Sequence, residues 1–270
     1  MLLSQAVAAY VEGRRARGEI GAGSARQFAW RLSGLVACHP GLDISELSRS
    51  HILDWQATVG GQRPASRRGY LSTVKGFCAW AVDEGLLAVD PAARVAKVRE
   101  PRGEPRGLSG GQVNRLLMVL PDDRARLIVA LMWRCGLRCV EVARLQVGDW
   151  DPVAAKLRVV GKGGHVRTVP AKDELLPLLN AAAATGSGPL VGLGAAAVSR
   201  LVSAWMTQAG IKARAYDGVS AHALRHTAAT NMLDRCHNVR TVQKILGHLN
   251  VATTDRYLGH VGLEEMRAAI

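Results

Sequence analysis

Near its C-terminal end the chain reads Ser220-Ala-His-Ala-Leu-Arg-His-Thr227, then Leu246-Gly-His248, then Thr253-Thr-Asp-Arg-Tyr257. His222, Arg225, His226 and His248 thus precede Tyr257, and two further cations, Arg138 and Lys162, stand upstream. A tyrosine hydroxyl, with an ordinary pKa of about 10, is a poor nucleophile at neutral pH unless cations surround the electrophile it attacks. A phosphodiester is the electrophile that needs such a ring. Simpler chemistries do not fit these residues. Gly161-Lys-Gly163 lacks the spaced glycine of a phosphate-binding loop and the Ser or Thr after its lysine. His222 and His226 sit four apart, but Ala223 stands where a zinc protease needs glutamate. No carboxylate cluster suggests a two-metal nuclease. What remains is a metal-free set of Arg, Lys, His, Arg, His and Tyr that implies no cofactor.

These side chains need a scaffold. Lys156–Val160 and His165–Val169 are strand-like runs flanking Gly161-Lys-Gly-Gly164, which predicts a β-hairpin with Lys162 at its tip. Helices are expected over about 173–184, 194–209, 221–234, 239–246 and 252–258, and Ser109 is placed to cap another before Val113, Leu116, Leu117 and Leu120. His222 and Arg225 then lie one turn apart on one helix face, and Glu141 follows Arg138 at the same spacing. Cys135 and Cys139, four apart, are expected on one helix as small buried hydrophobes rather than zinc ligands.

The first ninety or so residues predict four helices, over 2–17, 24–38, 45–58 and 65–84. In the fourth, Tyr70, Val74, Phe77 and Ala81 form an apolar stripe, with Arg68, Ser72 and Lys75 on the other side. That polar face is either merely solvated or free to lie on a phosphate backbone. Arg14, Arg15, Arg17, Arg63 and Arg67 add charge to the same region and favour the second reading. Asp90-Pro91 ends the block, because a proline ring disfavours helix in the residue before it. Residues 96–107, with two prolines and two glycines, read as an extended charged linker. The expected organisation is a helical domain over 1–95, a linker over 96–107 and a second domain over 108–270. The fold class is mainly α with a small β-hairpin or sheet (α+β).

Composition agrees with two folded domains: 270 residues, 48% hydrophobic and 21% charged. Thirty-five Lys and Arg against 22 acidic residues give a net charge of +13 and point to a polyanionic partner, although arginine-rich usage can also reflect genomic base content. Five scattered cysteines fit free thiols in a reducing compartment. Without a membrane-length apolar run or a signal-peptide pattern, a cytoplasmic protein with no membrane partner is expected.

With these residues in place, a family resemblance becomes specific. Gly136-Leu-Arg-Cys-Val-Glu-Val-Ala-Arg-Leu145 resembles the first arginine motif of the tyrosine recombinase (phage integrase-like) family. Gly161-Lys-Gly-Gly-His-Val-Arg-Thr-Val-Pro170 is similar to its β-hairpin lysine motif, and His222-Ala-Leu-Arg-His226 to its His-x-x-Arg box. Leu246-Gly-His248 and Thr254–Tyr257 resemble the third basic motif and the nucleophile segment. The likeness covers Leu108 to the end, and the N-terminal block is similar in size and character to the family's core-binding domain.

The resemblance implies roles. Tyr257 is the nucleophile, forming a 3′-phosphotyrosyl enzyme, and Lys162 protonates the departing 5′ oxygen. Arg138 and Arg225 grip the scissile phosphate, His222 assists the tyrosine proton, and His248 hydrogen-bonds a non-bridging oxygen. Glu141 holds Arg138, and His226 packs or orients. Arg68, Lys75, His165 and Arg167 are expected on DNA, the last two on backbone phosphates. Relatives place a glycine in the turn before Val239; here Asn238 is the residue suited to left-handed geometry. The implied architecture is a C-shaped clamp on double-stranded DNA recombination sites, monomeric when free and a homotetramer on DNA. A type IB topoisomerase and a catalytically inactive DNA-binding regulator of the same fold are the competing functions.

Overall fold

The computed structural model describes residues 1–98, 107–172, 174–184, 186–213 and 219–247. The chain divides into two compact units, Met1–Gly103 and Glu104–Ile270. Residues 99–106 of the expected linker and the helix expected over 252–258 lie outside the described residues.

The first unit comprises α1 (Leu3–Ala16), α2 (Ala22–Cys38), α3 (Arg49–Thr58) and α4 (Pro64–Asp83), with a 3-10 turn at Ile44–Glu46. Pro64 opens α4 at a position where its missing N–H costs nothing. Leu71, Val74, Phe77, Cys78 and Ala81 form the buried stripe of α4, while Tyr70 sits half-buried at its edge. Leu32, Leu35, Ile52 and Trp55 meet that stripe in the core. Tyr10 packs edge-on against Phe77, with ring centroids 5.6 Å apart.

Part of the basic charge in this unit is already engaged. Arg14 donates to the Tyr10 hydroxyl at 2.9 Å and to Glu19 at 2.8 Å, and Arg17 donates to Glu19 at 2.6 Å. Lys75, expected on an open DNA-facing surface, is half-buried and donates to the Val95 carbonyl at 2.7 Å. Arg68 is exposed.

The second unit comprises α5 (Gly110–Met118), α6 (Asp123–Trp133), α7 (Cys139–Arg144), a sheet of β1 (Trp150–Asp151), β2 (Lys156–Val160) and β3 (Val166–Pro170), then α8 (Leu175–Ala183), α9 (Ala195–Gln208), α10 (Ala221–Cys236) and α11 (Val239–Leu246). Ser109 accepts from the Gln112 amide at the start of α5, and Asp122 from the Ala125 amide at the start of α6. Leu127 to Met132 are all buried, so α6 runs through the centre of the unit. The sheet is antiparallel in the order β1-β2-β3, with Leu157 opposite Val169 and Val159 opposite Arg167. Two-residue β1 was not expected from the sequence. No helix among the described residues is long and apolar enough to cross a membrane.

Two local expectations are corrected. Cys135 and Cys139 do not share a helix: α6 ends at Trp133, α7 begins at Cys139, and Gly136 turns the chain between them at φ +67°. Burial pushes the Cys135 thiol up to about 12, which keeps it unreactive. In the turn before Val239 the left-handed residue is His237 (φ 49°, ψ 22°). Asn238 is extended and caps α11 instead, its side chain accepting from the Thr241 amide at 3.1 Å. Capping satisfies an orphan amide, a stronger use for that side chain than left-handed backbone.

Gly136 is required twice, by its positive φ and because a Cβ there would collide with Cδ2 of buried Leu246. Gly136→Ala should therefore lower unfolding stability by on the order of 2–3 kcal/mol through strain and overpacking. Chemical denaturation checks this, and an unchanged midpoint would show that the α11 contact relaxes freely.

Candidate active site

Arg138 is the extended residue just before α7, and Glu141 reaches back to it from the helix's first turn. The Arg138 amide donates to Glu141 Oε2 at 2.8 Å, and its guanidinium Nη1 donates to Oε1 at 3.0 Å. An acid at this position answers an orphan amide and the positive end of the helix. Glu141 is only 3% exposed. Arg167 on β3 forks onto the same carboxylate, Nη1 to Oε1 and Nη2 to Oε2, each at 2.9 Å. Its Nε donates to the Ile245 carbonyl in the last turn of α11 at 2.7 Å.

Arg225 on α10 is buried beside them. Its Nη1 donates to the Gly136 carbonyl and lies 3.6 Å from Glu141 Oε2. Its Nη2 donates to the Leu246 carbonyl at 2.7 Å. One carboxylate thus faces three guanidiniums, leaving an excess of two positive charges among the described residues. Burial is the largest single influence on Glu141 and pushes its pKa up. The Arg167 fork, the Arg138 amide and the charges of Arg167 and Arg225 together outweigh it, so the carboxyl titrates below its ordinary value.

His222 stands one turn before Arg225 at the start of α10, with its outer edge exposed and its inner side against protein. That partial desolvation, then the charges of Arg225 and Arg138, lower its pKa from 6.5. The ring is therefore neutral at neutral pH and able to accept a proton. His226, further along α10, is half-buried.

Lys162 opens a 3-10 turn, Lys162–Gly164, in which Gly163 and Gly164 take φ of +75° and +80°. The stem of this hairpin abuts the cluster: a Cβ on Gly161 would lie 3.5 Å from Arg167 Nη1 and 3.7 Å from Glu141 Oε1. His165 is exposed beside the turn. Arg68 and Lys75 belong to the first unit. His248 and Tyr257 lie outside the described residues, which end at Gly247. Both carbonyls just before Gly247 are taken by arginines of the cluster.

Arg138 and Glu141 pair as their one-turn spacing suggested, and Arg225 joins them as the family resemblance implied. Arg167 does not face outward toward backbone phosphates: three of its nitrogens bind Glu141 and Ile245, and its side chain is 10% exposed. The signal was present in the strand. Side chains two apart on β3 share a face, so Arg167 points the same way as buried Val169. A core-facing arginine needs a carboxylate, and Glu141 supplies it.

NMR titration of His222 should give a midpoint below 6.5, and Arg138→Gln, by removing one nearby charge, should move it upward. Because folding favours the neutral ring, this contribution to stability is present above 6.5 and is lost as pH falls through the lowered value. A midpoint at or above 6.5 would remove His222 as a base at neutral pH.

Residues 107–261 match the Phage integrase family. Tyrosine recombinase XerC of Mycobacterium bovis (strain BCG / Pasteur 1173P2) is 35% identical over 252 residues, covering 84% of each chain, and that of Mycobacterium tuberculosis (strain ATCC 25177 / H37Ra) matches equally. Among solved structures, a lambda integrase dimer bound to a COC′ core site is similar at TM-score 0.78 and 16% identity, over 94% of this chain and 97% of that one. The Tn1549 transposon integrase in complex with circular intermediate DNA is similar at TM-score 0.75 and 19% identity, over 100% of this chain and 99% of that one. At such identities these two likenesses are of fold. The clustered arginines of the first and second motifs, the lysine hairpin beside them and the match to relatives along most of the sequence converge: the chain belongs to the phage integrase family of tyrosine recombinases.

Proposed function

We propose that this protein is a site-specific DNA recombinase that cuts and rejoins strands through a 3′-phosphotyrosyl intermediate and a Holliday junction, without metal or ATP. The observation that carries this reading is that, among the described residues, three guanidiniums gather around the one buried carboxylate of Glu141, an arrangement suited to an anion. Arg138, with 35% of its side chain exposed, is the guanidinium that reaches outward to a non-bridging phosphate oxygen. Arg225, held by two carbonyls, adds positive charge as the phosphorane-like transition state gains negative charge.

Tyr257 Oη attacks phosphorus, and its proton passes to His222, which is neutral at the working pH. The bond from phosphorus to the 5′ oxygen breaks, and Lys162 protonates that oxygen as it leaves. His248 donates to a non-bridging oxygen. The ester keeps the bond energy, so attack by a 5′ hydroxyl reverses the step. Glu141 holds Arg138 in place, and His226 supports the helix.

The partner is double-stranded DNA carrying recombination sites, in keeping with the integrase–DNA complexes that share this fold. Domain 1–95 and domain 108–270, joined by 96–107, both contact the duplex. Arg68 and His165, both exposed, lie on DNA. The protein works in the cytoplasm, as a monomer when free and a homotetramer on paired sites.

A nicked half-site, selected from random duplexes by binding, traps the covalent step. The unsubstituted chain should form a 3′-linked adduct that survives magnesium chelation and vanishes in Tyr257→Phe. Arg138→Ala should form it about 100- to 1000-fold more slowly. Binding with no adduct would favour an inactive regulator, and adducts with plasmid relaxation on arbitrary DNA would favour a type IB topoisomerase.

Arg68→Ala should weaken DNA binding on all sequences and flatten the salt dependence by about one phosphate contact. Lys75→Ala should change that slope less, because its amine already serves Val95. Equal slopes for the two variants, measured by fluorescence anisotropy across a salt series, would contradict this division.

A further inference from the structure

Arg167 is the one member of the cluster that phosphate binding does not explain. Its Nη1 and Nη2 take both oxygens of Glu141 at 2.9 Å, and its Nε takes the Ile245 carbonyl at 2.7 Å. These contacts join three separate pieces of chain. Arg167 is on β3, five residues after Lys162 in the same hairpin. Glu141 holds both the amide and the guanidinium of Arg138. Ile245 lies in the last turn of α11, three residues before His248 and twelve before Tyr257.

The fit around Arg167 is close. A Cβ on Gly247 would meet its Cδ at 2.9 Å and its Nε at 3.2 Å, so the end of α11 is seated directly on the arginine stem. The last four carbonyls of a helix have no partner within it, and they carry the negative end of the helix dipole. Arg167 uses one of them as an anchor. Only a planar fork with three divergent N–H directions spans a carboxylate and a carbonyl together; a lysine ammonium has the charge without the geometry.

We propose that Arg167 is a positioning residue that locks the lysine hairpin, the Arg138 clamp and the chain leading to His248 and Tyr257 into one register. The inference rests on the recombinase reading above. Buried ion pairs are weak sources of stability, so the measurable value of this one lies in geometry. Displacing reacting groups by about 1 Å can cost on the order of 100-fold in rate without loss of binding.

The test is single-turnover cleavage of the nicked half-site by Arg167→Lys and Arg167→Gln, with DNA affinity and melting temperature measured on the same samples. Arg167→Lys, which keeps the charge and much of the stem, serves if Arg167→Gln does not fold. Expected is a fall in cleavage rate of roughly 10- to 100-fold with affinity and its salt slope unchanged. Without the fork, burial should raise the Glu141 pKa, since Arg138 and Arg225 are then the described cations left facing it. The acid limb of the rate profile should accordingly move to higher pH. In the Arg167→Lys/Glu141→Gln double variant the losses should be less than additive.

Cleavage at the wild-type rate by Arg167→Lys would overturn the inference. So would losses of affinity and cleavage in step with a flatter salt slope, which would return Arg167 to phosphate contact. Absence of a Tyr257-dependent adduct from the unsubstituted chain would overturn the recombinase reading itself. Normal cleavage by the wild type and by both variants would remove only the positioning role.

Discussion

The catalytic unit is organised around a buried negative charge. A carboxylate sealed from water is expensive alone, and three guanidiniums crowded together repel. Glu141 and its arginines resolve both problems at once. Burial alone would drive the carboxyl toward its neutral form, but the two-pronged bond from Arg167, the Arg138 amide and the nearby charges outweigh that tendency. Among the described residues, three guanidiniums face this one carboxylate. The acid that holds the cluster together is thus also the reason that three guanidiniums can pack so closely.

That arrangement constrains the rest of the unit, because its parts come from far along the chain: 136–141, 161–167, 225 and 245–247. The apolar stretch of α6, buried from Leu127 to Met132, is the floor against which α8 and α10 pack. Gly136 ends that floor with a turn that only glycine takes cheaply, aiming its carbonyl at Arg225 while leaving room for Leu246. The antiparallel β2–β3 pair sets the height of Arg167 through its alignment with Val159. A one-residue slip would turn Arg167 to solvent and strand Glu141 in the interior.

What the sequence disclosed follows from the range of each interaction. The strand-like runs around Gly161–Gly164, the apolar stripe of α4 and the cap at Ser109 are local, and local rules find them. The Arg138–Glu141 pair is likewise a one-turn relation. Lys75 was misplaced on an open surface because its partner, the Val95 carbonyl, lies twenty residues away. Cys135 and Cys139 looked like helix neighbours because four-residue spacing carries no sign of the break that Gly136 introduces between them. His237, not Asn238, is left-handed because capping α11 claimed the asparagine. Arg167 was the instructive miss: its place in the lysine-hairpin motif marked it as a DNA contact, while its parity with Val169 already turned it inward.

The same distinction bears on the net charge of +13. Such an excess suggests many phosphate contacts, yet Arg14, Arg17, Lys75, Arg167 and Arg225 all have partners inside their own units. Charge that steers DNA over long distances and charge that sets local geometry are therefore different populations, although the sequence counts them alike. For Arg167 and Arg225, salt has little purchase, because short buried pairs are poorly screened, whereas the exposed pairs of Arg14 and Arg17 with Glu19 are screened as surface pairs are. Ionic strength should thus govern how readily DNA arrives far more than how the cluster is shaped when it does. Arg138, Arg167 and Arg225 are held by a carboxylate and by main-chain carbonyls, so their positions are fixed by the fold itself, and fixed donors need little reorganisation when they meet an anion.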